Sequence, residues 1–152
     1  MKKLIITVGV PGSGKSTALR SLFPEAHVVS PDHISYDADG HFVVGRLSVA
    51  WRDSYAKFFR ALDSGLPLVA FDATSLRPDC RGALIAAGRH FRYTVSALYC
   101  EVTPEEAKRR NAGRSNKDAV PDYVIERMVR DLIVPNAYDN NEFDDVICGL
   151  RG

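Results

Sequence analysis

The residues Gly9-Val10-Pro11-Gly12-Ser13-Gly14-Lys15-Ser16 fit the spacing G-x-x-x-x-G-K-[ST] without a gap. Each position has a chemical reason. Glycines let the backbone curl until its N–H groups face phosphate oxygens, and a helix opening at the end of the loop adds partial positive charge. Lys15 reaches the β- and γ-phosphates of a nucleoside triphosphate, and the Ser16 hydroxyl can hold Mg²⁺. The expected nucleotide contacts are Gly12, Ser13, Gly14, Lys15, Ser16 and Thr17, with ATP and Mg²⁺ as cofactors. The bland alternative is a glycine-rich turn with a fortuitous lysine. A predicted strand before the loop and a predicted helix after it argue against that.

Such a loop says nothing of what is done with the nucleotide. The Asn-Lys-x-Asp tetrapeptide of guanine-binding switches is absent. Motor and AAA-type ATPases usually carry an acidic pair after an apolar strand, whereas Phe71-Asp72 is followed by Ala73-Thr74. Asp72 suits a metal-holding role through water; a strand-end turn or helix cap is the alternative. A kinase also needs a base for the acceptor hydroxyl and positive charge over the transferred group. Asp32 follows a predicted strand and is the candidate base, although Ser30-Pro31-Asp32-His33 is turn chemistry too.

For the positive charge, Lys108-Arg109-Arg110-Asn111-Ala112-Gly113-Arg114 stands out. Between residues 108 and 130 there are seven basic residues (108, 109, 110, 114, 117, 127, 130) against three acidic ones (118, 122, 126). Arg110 and Arg114 share one face if a helix continues through both. Gly113 and Ser115-Asn116 instead suggest a break into a lid, at about residues 110–120, that closes over the nucleotide and excludes water. A merely solvated basic face is the alternative. Trp51, Arg52, Tyr55 and Phe59 either line an acceptor pocket or pack in the core, and the core is favoured for Trp51 and Tyr55. Asp37-Ala38-Asp39-Gly40 imitates a phosphotransfer motif but follows no buried strand, so it reads as an exposed turn.

The elements that must position these groups alternate along the chain. Strands are expected at 4–8, 27–30, 66–71, 93–100 and 146–148. Helices are expected at 16–23, 48–64, 78–88, from 104 onward, and 121–133. Thr103-Pro104-Glu105-Glu106 is a strong helix start, with a cap, proline in the first turn and two acids. This alternation predicts one α/β domain over 1–152, with a mostly parallel sheet and no dividing linker.

Composition sets the outer bounds. The chain has 152 residues, 45% hydrophobic and 26% charged, so disorder and fibrous folds are excluded. Twenty basic against nineteen acidic residues give a net charge of +1, so any nucleic-acid contact must come from local patches. Cys80, Cys100 and Cys148 are an odd number at wide spacings, with no CxxC and no cluster with the histidines, which argues against disulfides and structural zinc. Cys100 and Cys148 are expected in strands. The apolar run after Lys3 is too short for a secretory signal, and no stretch is long enough to cross a membrane, so a soluble cytoplasmic protein is expected.

Taken in order, the loop through Thr17, the Pro31-Asp32 step, Phe71-Asp72-Ala73-Thr74-Ser75-Leu76-Arg77-Pro78, and Lys108 to Arg114 followed by Ala119-Val120-Pro121 resemble one family. It is the kinase domain of bacteriophage polynucleotide 5′-kinase and its P-loop relatives, matched from residue 1 to about 133. The resemblance implies a P-loop kinase fold with a five-stranded parallel sheet, flanking helices and an arginine-bearing lid. It implies Lys15 and Ser16 on phosphates and Mg²⁺, Asp32 as general base, Asp72 near the metal or acceptor, and Arg110 and Arg114 on the nucleotide. Pro31, His33 and Ser35 stand where the phage enzyme has basic residues around its catalytic Asp. A kinase without the phosphatase domain that accompanies it in some relatives is expected. The implied reaction is transfer of the γ-phosphoryl group of ATP to the 5′-hydroxyl of DNA or RNA. The alternative acceptors are a hydroxymethylated DNA base, a nucleoside or another small hydroxylated molecule. A nucleotide-binding module without turnover is the third reading, and it needs neither Asp32 nor the paired arginines.

Overall fold

Leu4, Ile5, Ile6 and Val8 are all fully enclosed, which places β1 (Lys3–Val8) at the centre of the sheet. A continuous apolar run suits such a strand because both of its faces are covered. The computed structural model describes residues 1–31, 44–113, 120–137 and 142–149, with the backbone alone for 44–50. Beside β1 lie β2 (His27–Val29), β3 (Leu68–Phe71), β4 (Thr94–Tyr99) and β5 (Asp145–Cys148), in the order β2-β3-β1-β4-β5. Every pairing is parallel, so the expected sheet is parallel throughout.

The period-two alternation of β1 sorts its side chains to two cores. Leu4, Ile6 and Val8 join Phe58, Leu62, Phe71 and Leu84 beneath α2 (Val44–Asp63) and α3 (Pro78–His90). Ile5 joins Ala18, Leu19, Ala70 and Leu98 beneath α1 (Lys15–Leu22) on the opposite face. A third cluster, Val10, Ala107, Val120 and Ile125, ties the phosphate loop to α4 (Pro104–Ala112) and α5 (Asp122–Asp131).

Element boundaries differ from expectation in instructive places. Helix α2 starts at Val44, four residues ahead of the expected 48. Strand β3 begins only at Leu68, since Pro67 has no N–H for a ladder. Helix α5 ends at Asp131 rather than 133, because the Ile133 N–H donates instead to Leu76 O at 2.8 Å. Cys148 lies in β5, while Cys100 follows the last residue of β4. Trp51 and Tyr55 are core residues: their rings lie 5.7 Å and 5.9 Å from that of Phe71. Phe59 and Arg52 are exposed.

Arg81 was not singled out by the sequence, yet it is the largest fully buried side chain among the described residues. From α3 its Nη1 donates to Ser75 O at 3.0 Å and its Nη2 to Ile133 O at 2.9 Å. Its Nε donates to the Glu142 carboxylate, and the guanidinium lies over the Phe143 ring. One side chain thus ties α3 to the turn after β3, the segment after α5 and the segment before β5. Removing it strands a half-buried carboxylate and two carbonyls. Arg81→Leu should therefore cost about 3 kcal/mol or more. Arg81→Lys should recover only part of that, because an ammonium lacks the planar fork. Urea unfolding checks this; a wild-type midpoint for Arg81→Leu would mean that Arg81 does not hold these segments together.

Candidate active site

The phosphate loop leaves β1 at Gly9, whose N–H donates to Thr74 O at 3.0 Å. Gly12 and Gly14 adopt φ of +83° and +86°, left-handed conformations that side chains strain to reach. Between them, the Ser13 N–H closes a turn on Val10 O at 3.1 Å. The Ser13 hydroxyl is buried without a hydrogen-bond partner among the described residues. Gly14 is the N-cap of α1, so the first N–H groups of that helix have no acceptor within it and carry the positive end of its dipole. Lys15 is buried, Ser16 half-buried and Thr17 exposed. The expected strand–loop–helix arrangement is present in full.

Asp72 closes the floor of the loop. It is 6% exposed, and its N–H donates to Val29 O at 2.8 Å. The Ser16 hydroxyl donates to its Oδ2 at 2.6 Å. Its other oxygen lies 3.1 Å from the Thr7 hydroxyl, which accepts the Ala73 N–H at 3.0 Å. Thr7 is the one polar side chain facing inward from β1, and it holds the end of β3 in register. Asp72 is no helix cap, since α3 begins six residues later with Arg77 as its N-cap. A hydroxyl and a carboxylate at this spacing are the hard oxygen donors that Mg²⁺ takes. Among the described residues no group of three or more His, Cys, Asp or Glu could hold a metal. That suits an ion that keeps several waters and leans on substrate phosphates.

On the other side of the loop stands α4. Thr103 caps it, its Oγ1 accepting the Glu106 N–H at 3.2 Å, as expected from the sequence. The carbonyl of Ala107 lies 2.6 Å from where a Gly12 Cβ would stand, so helix backbone rests directly on loop backbone. One turn on, Arg110 donates from Nη1 to Gly12 O at 3.3 Å and from Nε to Glu106 Oε1 at 2.9 Å. The Arg109 hydrogen bond holds the Glu106 carboxyl at about 2, working against desolvation and aided by Arg110. Glu106 is therefore ionised at any pH at which an enzyme works, and it keeps Arg110 over the loop.

The rest of the basic run divides. Lys108 pairs with Glu126, and Arg109 pairs with Glu106. These two read as solvated-face residues; Arg110 alone of the three turns to the loop. Helix α4 stops at Ala112, with Gly113 as its cap. The Val120 N–H donates to Asn111 Oδ1 at 2.8 Å, and the Asn111 amide donates back to Val120 O. This buried amide brackets residues 112–119. Arg114 and most of the expected lid lie outside the described residues, as do Asp32, His33, Ser35 and the Asp37–Gly40 turn. Cys80 and Cys148 are exposed free thiols and Cys100 a buried one.

Thr7, Glu106 and Asn111 lie in segments that the sequence marks as strand, helix start and basic run, but their roles here were not expected. Thr7 could have been found as the single polar residue inside an apolar strand, and Glu106 by its spacing of three and four residues from Arg109 and Arg110 on one helix. Asn111 could not, since its partner Val120 is set by the tertiary fold.

Residues 4–135 match the family AAA_33, described as an AAA domain. No curated protein matches the chain. Among solved structures, the fold is similar to Kti12 of Chaetomium thermophilum in complex with ADP-AlF3, at 20% identity and a TM-score of 0.67, over 95% of this chain and 87% of that one. It is also similar to a chain of the Pnkp1/Rnl/Hen1 RNA repair complex, at 23% identity and a TM-score of 0.70, over 86% of this chain but 44% of the other. A sugar kinase from Janibacter sp. HTCC2649 gives 15% identity and a TM-score of 0.67, over 97% and 84%. At these identities the likeness is one of fold, and that fold is the P-loop kinase type. The family's description is wider than the single acid at Asp72 suggested, and it does not single out the phage polynucleotide kinase. With its match spanning 4–135, the chain belongs to the AAA_33 family of AAA domains.

Proposed function

We propose that the protein is an ATP-dependent kinase that transfers the γ-phosphoryl group to a hydroxyl of a nucleic acid, the 5′-hydroxyl of DNA or RNA. The observation that carries the kinase reading is the pair of charges flanking one loop. The Ser16–Asp72 oxygens lie on one side of it, and Arg110, fixed to Gly12 O, lies on the other. A binding module needs no such bracket around the phosphates. The acceptor is read from the resemblance in the Arg110-Asn111-x-x-Arg114 segment, and from the likeness to a chain of an RNA repair complex.

In the reaction, the acceptor oxygen attacks the γ-phosphorus while its proton passes to the Asp32 carboxylate. The bond from the γ-phosphorus to the β–γ bridging oxygen breaks, and ADP leaves. Lys15, the N–H groups opening α1, Arg110 and Arg114 receive the negative charge spread over the phosphoryl oxygens. Ser16, and Asp72 through water, would hold Mg²⁺, which would neutralise charge on the phosphates. Asp32 follows the end of β2 by three residues in the sequence, and ligands of such folds bind beyond the carboxyl ends of the strands. A smaller hydroxylated acceptor is the second reading, favoured by the likeness to a sugar kinase and by Pro31, His33 and Ser35 beside Asp32.

Incubation with γ-labelled ATP and a short 5′-hydroxyl oligonucleotide should label the free end and not a 5′-blocked control. Asp32→Ala should bind ATP as the wild type does and lose turnover by about a hundredfold or more. Label on the blocked control would move the acceptor to an internal or base hydroxyl; no label on either would favour small acceptors. Undiminished turnover in Asp32→Ala would remove the assigned base.

Gly12→Ala both strains a left-handed residue and drives a methyl into the Ala107 carbonyl. Strain of about 1–3 kcal/mol converts to an ATP Kd raised about tenfold or more, measured by calorimetry. Gly65→Ala, also left-handed but facing open space, should leave the ATP Kd unchanged. Equal Kd values for both variants would contradict the docking of α4 on the loop.

A further inference from the structure

We infer that the groove between the edge strand β2 and helix α2 is a track for the phosphodiester backbone of a single-stranded nucleic-acid acceptor. This rests on the reading of the protein as a nucleic-acid kinase and names how the acceptor lies. Strand β2 has a sheet neighbour on one side only, and α2 returns across it. Between them opens a groove of about 630 Å³, lined by β2, the following Ser30 and the C-terminal half of α2.

Its polar lining is of one kind. Lys57 and Arg60, three residues apart on α2, are both exposed and both reach it. Ser30, Ser54 and Ser64 add hydroxyls, and His27 stands at the start of the strand. Among the described residues no carboxylate lines the groove, and neither Lys57 nor Arg60 has an ion-pair partner. In a chain of net charge +1, a groove with cations and no compensating acid is a local anion site. Among the described residues no phenylalanine, tyrosine or tryptophan lines it, and the contacts these residues offer are to phosphate.

Direction chooses the occupant. Ser30 marks the groove's upper end, and Asp32 follows two residues later in the chain. A strand whose 5′-hydroxyl meets Asp32 can send its following phosphates past Ser30 and Ser54 toward Lys57, Arg60 and Ser64. Residues 27–30 in extended form span about 13 Å, enough for a few phosphates.

The test is binding of a fluorescent 5′-hydroxyl 12-mer by anisotropy at several salt concentrations, run beside its phosphorylation. Lys57→Gln/Arg60→Gln should weaken the Kd at least tenfold and flatten the slope of log K against log salt by about 1.4, two phosphate contacts at about 0.7 each. Thermal melting checks that the double variant folds, and glutamine keeps the helix propensity of α2. Arg20→Gln, on the helix of the opposite sheet face, should change neither quantity. An unchanged Kd and slope in the double variant, or no binding by the wild type, overturns the track. Displacement of the 12-mer by polyglutamate at equal charge would overturn it too, in favour of an acidic protein partner. If the 12-mer binds through the groove and is never phosphorylated, the track stands and the end-kinase reading falls. If it is phosphorylated and the double variant binds it normally, the reading stands and the track falls.

Discussion

The site depends on how closely one helix approaches one loop. Because Gly12 has no side chain, the Ala107 carbonyl can stand where a methyl would be, and α4 settles onto the turn that will hold phosphate. Everything on that side of the nucleotide follows from this contact. Arg110, one turn beyond Ala107, reaches Gly12 O only at this distance, and Glu106 holds it there. Val10 is drawn into the same cluster with Ala107, Val120 and Ile125, so the loop is anchored by burial as well as by hydrogen bonds. A fully packed contact of this kind has little slack, since protein interiors are dense.

The opposite wall is built from the sheet. Thr7 and Asp72 sit at the ends of neighbouring parallel strands, and a buried hydroxyl that accepts the Ala73 N–H leaves the carboxylate few ways to turn. Ser16 then meets Asp72 because α1 begins at Lys15 and its first turn faces the carboxyl end of β3. The two walls are independent in origin: one is a helix docked by shape, the other a strand register fixed by ladder hydrogen bonds. Their common product is a cationic lip, from Lys15 and Arg110, above an anionic floor at Asp72. That is the polarity a metal-bound phosphate chain requires.

The sequence made half of this visible. The loop was legible because its chemistry is local: strand, glycines, lysine and helix are contiguous. The sheet was legible because the β-branched and apolar runs have strand length and glycine or proline ends. The cap at Thr103 was legible for the same reason. Arg81 and Asn111 were hidden because their meaning is in partners that only the tertiary fold brings to them, up to 61 residues away for Arg81. The basic run from Lys108 was half legible. Its charge could be counted, but only the docking of α4 separates Arg110, over the loop, from Lys108 and Arg109, which are paired with acids on the surface.

The division between the two walls and the acceptor side bears on how one fold serves different acceptors. The nucleotide half is set by β1, β3 and α4, whose residues are locked into the three apolar clusters. The acceptor side that we propose begins at β2, an edge strand of three residues from which only Val29 is buried. His27, Val28, Lys57 and Arg60 are exposed and belong to none of the three clusters, so substitutions there leave the core intact. On the proposed reading the phosphate donor is held at the sheet's most constrained centre and the acceptor at its least constrained edge, so a change of acceptor need not disturb the donor site.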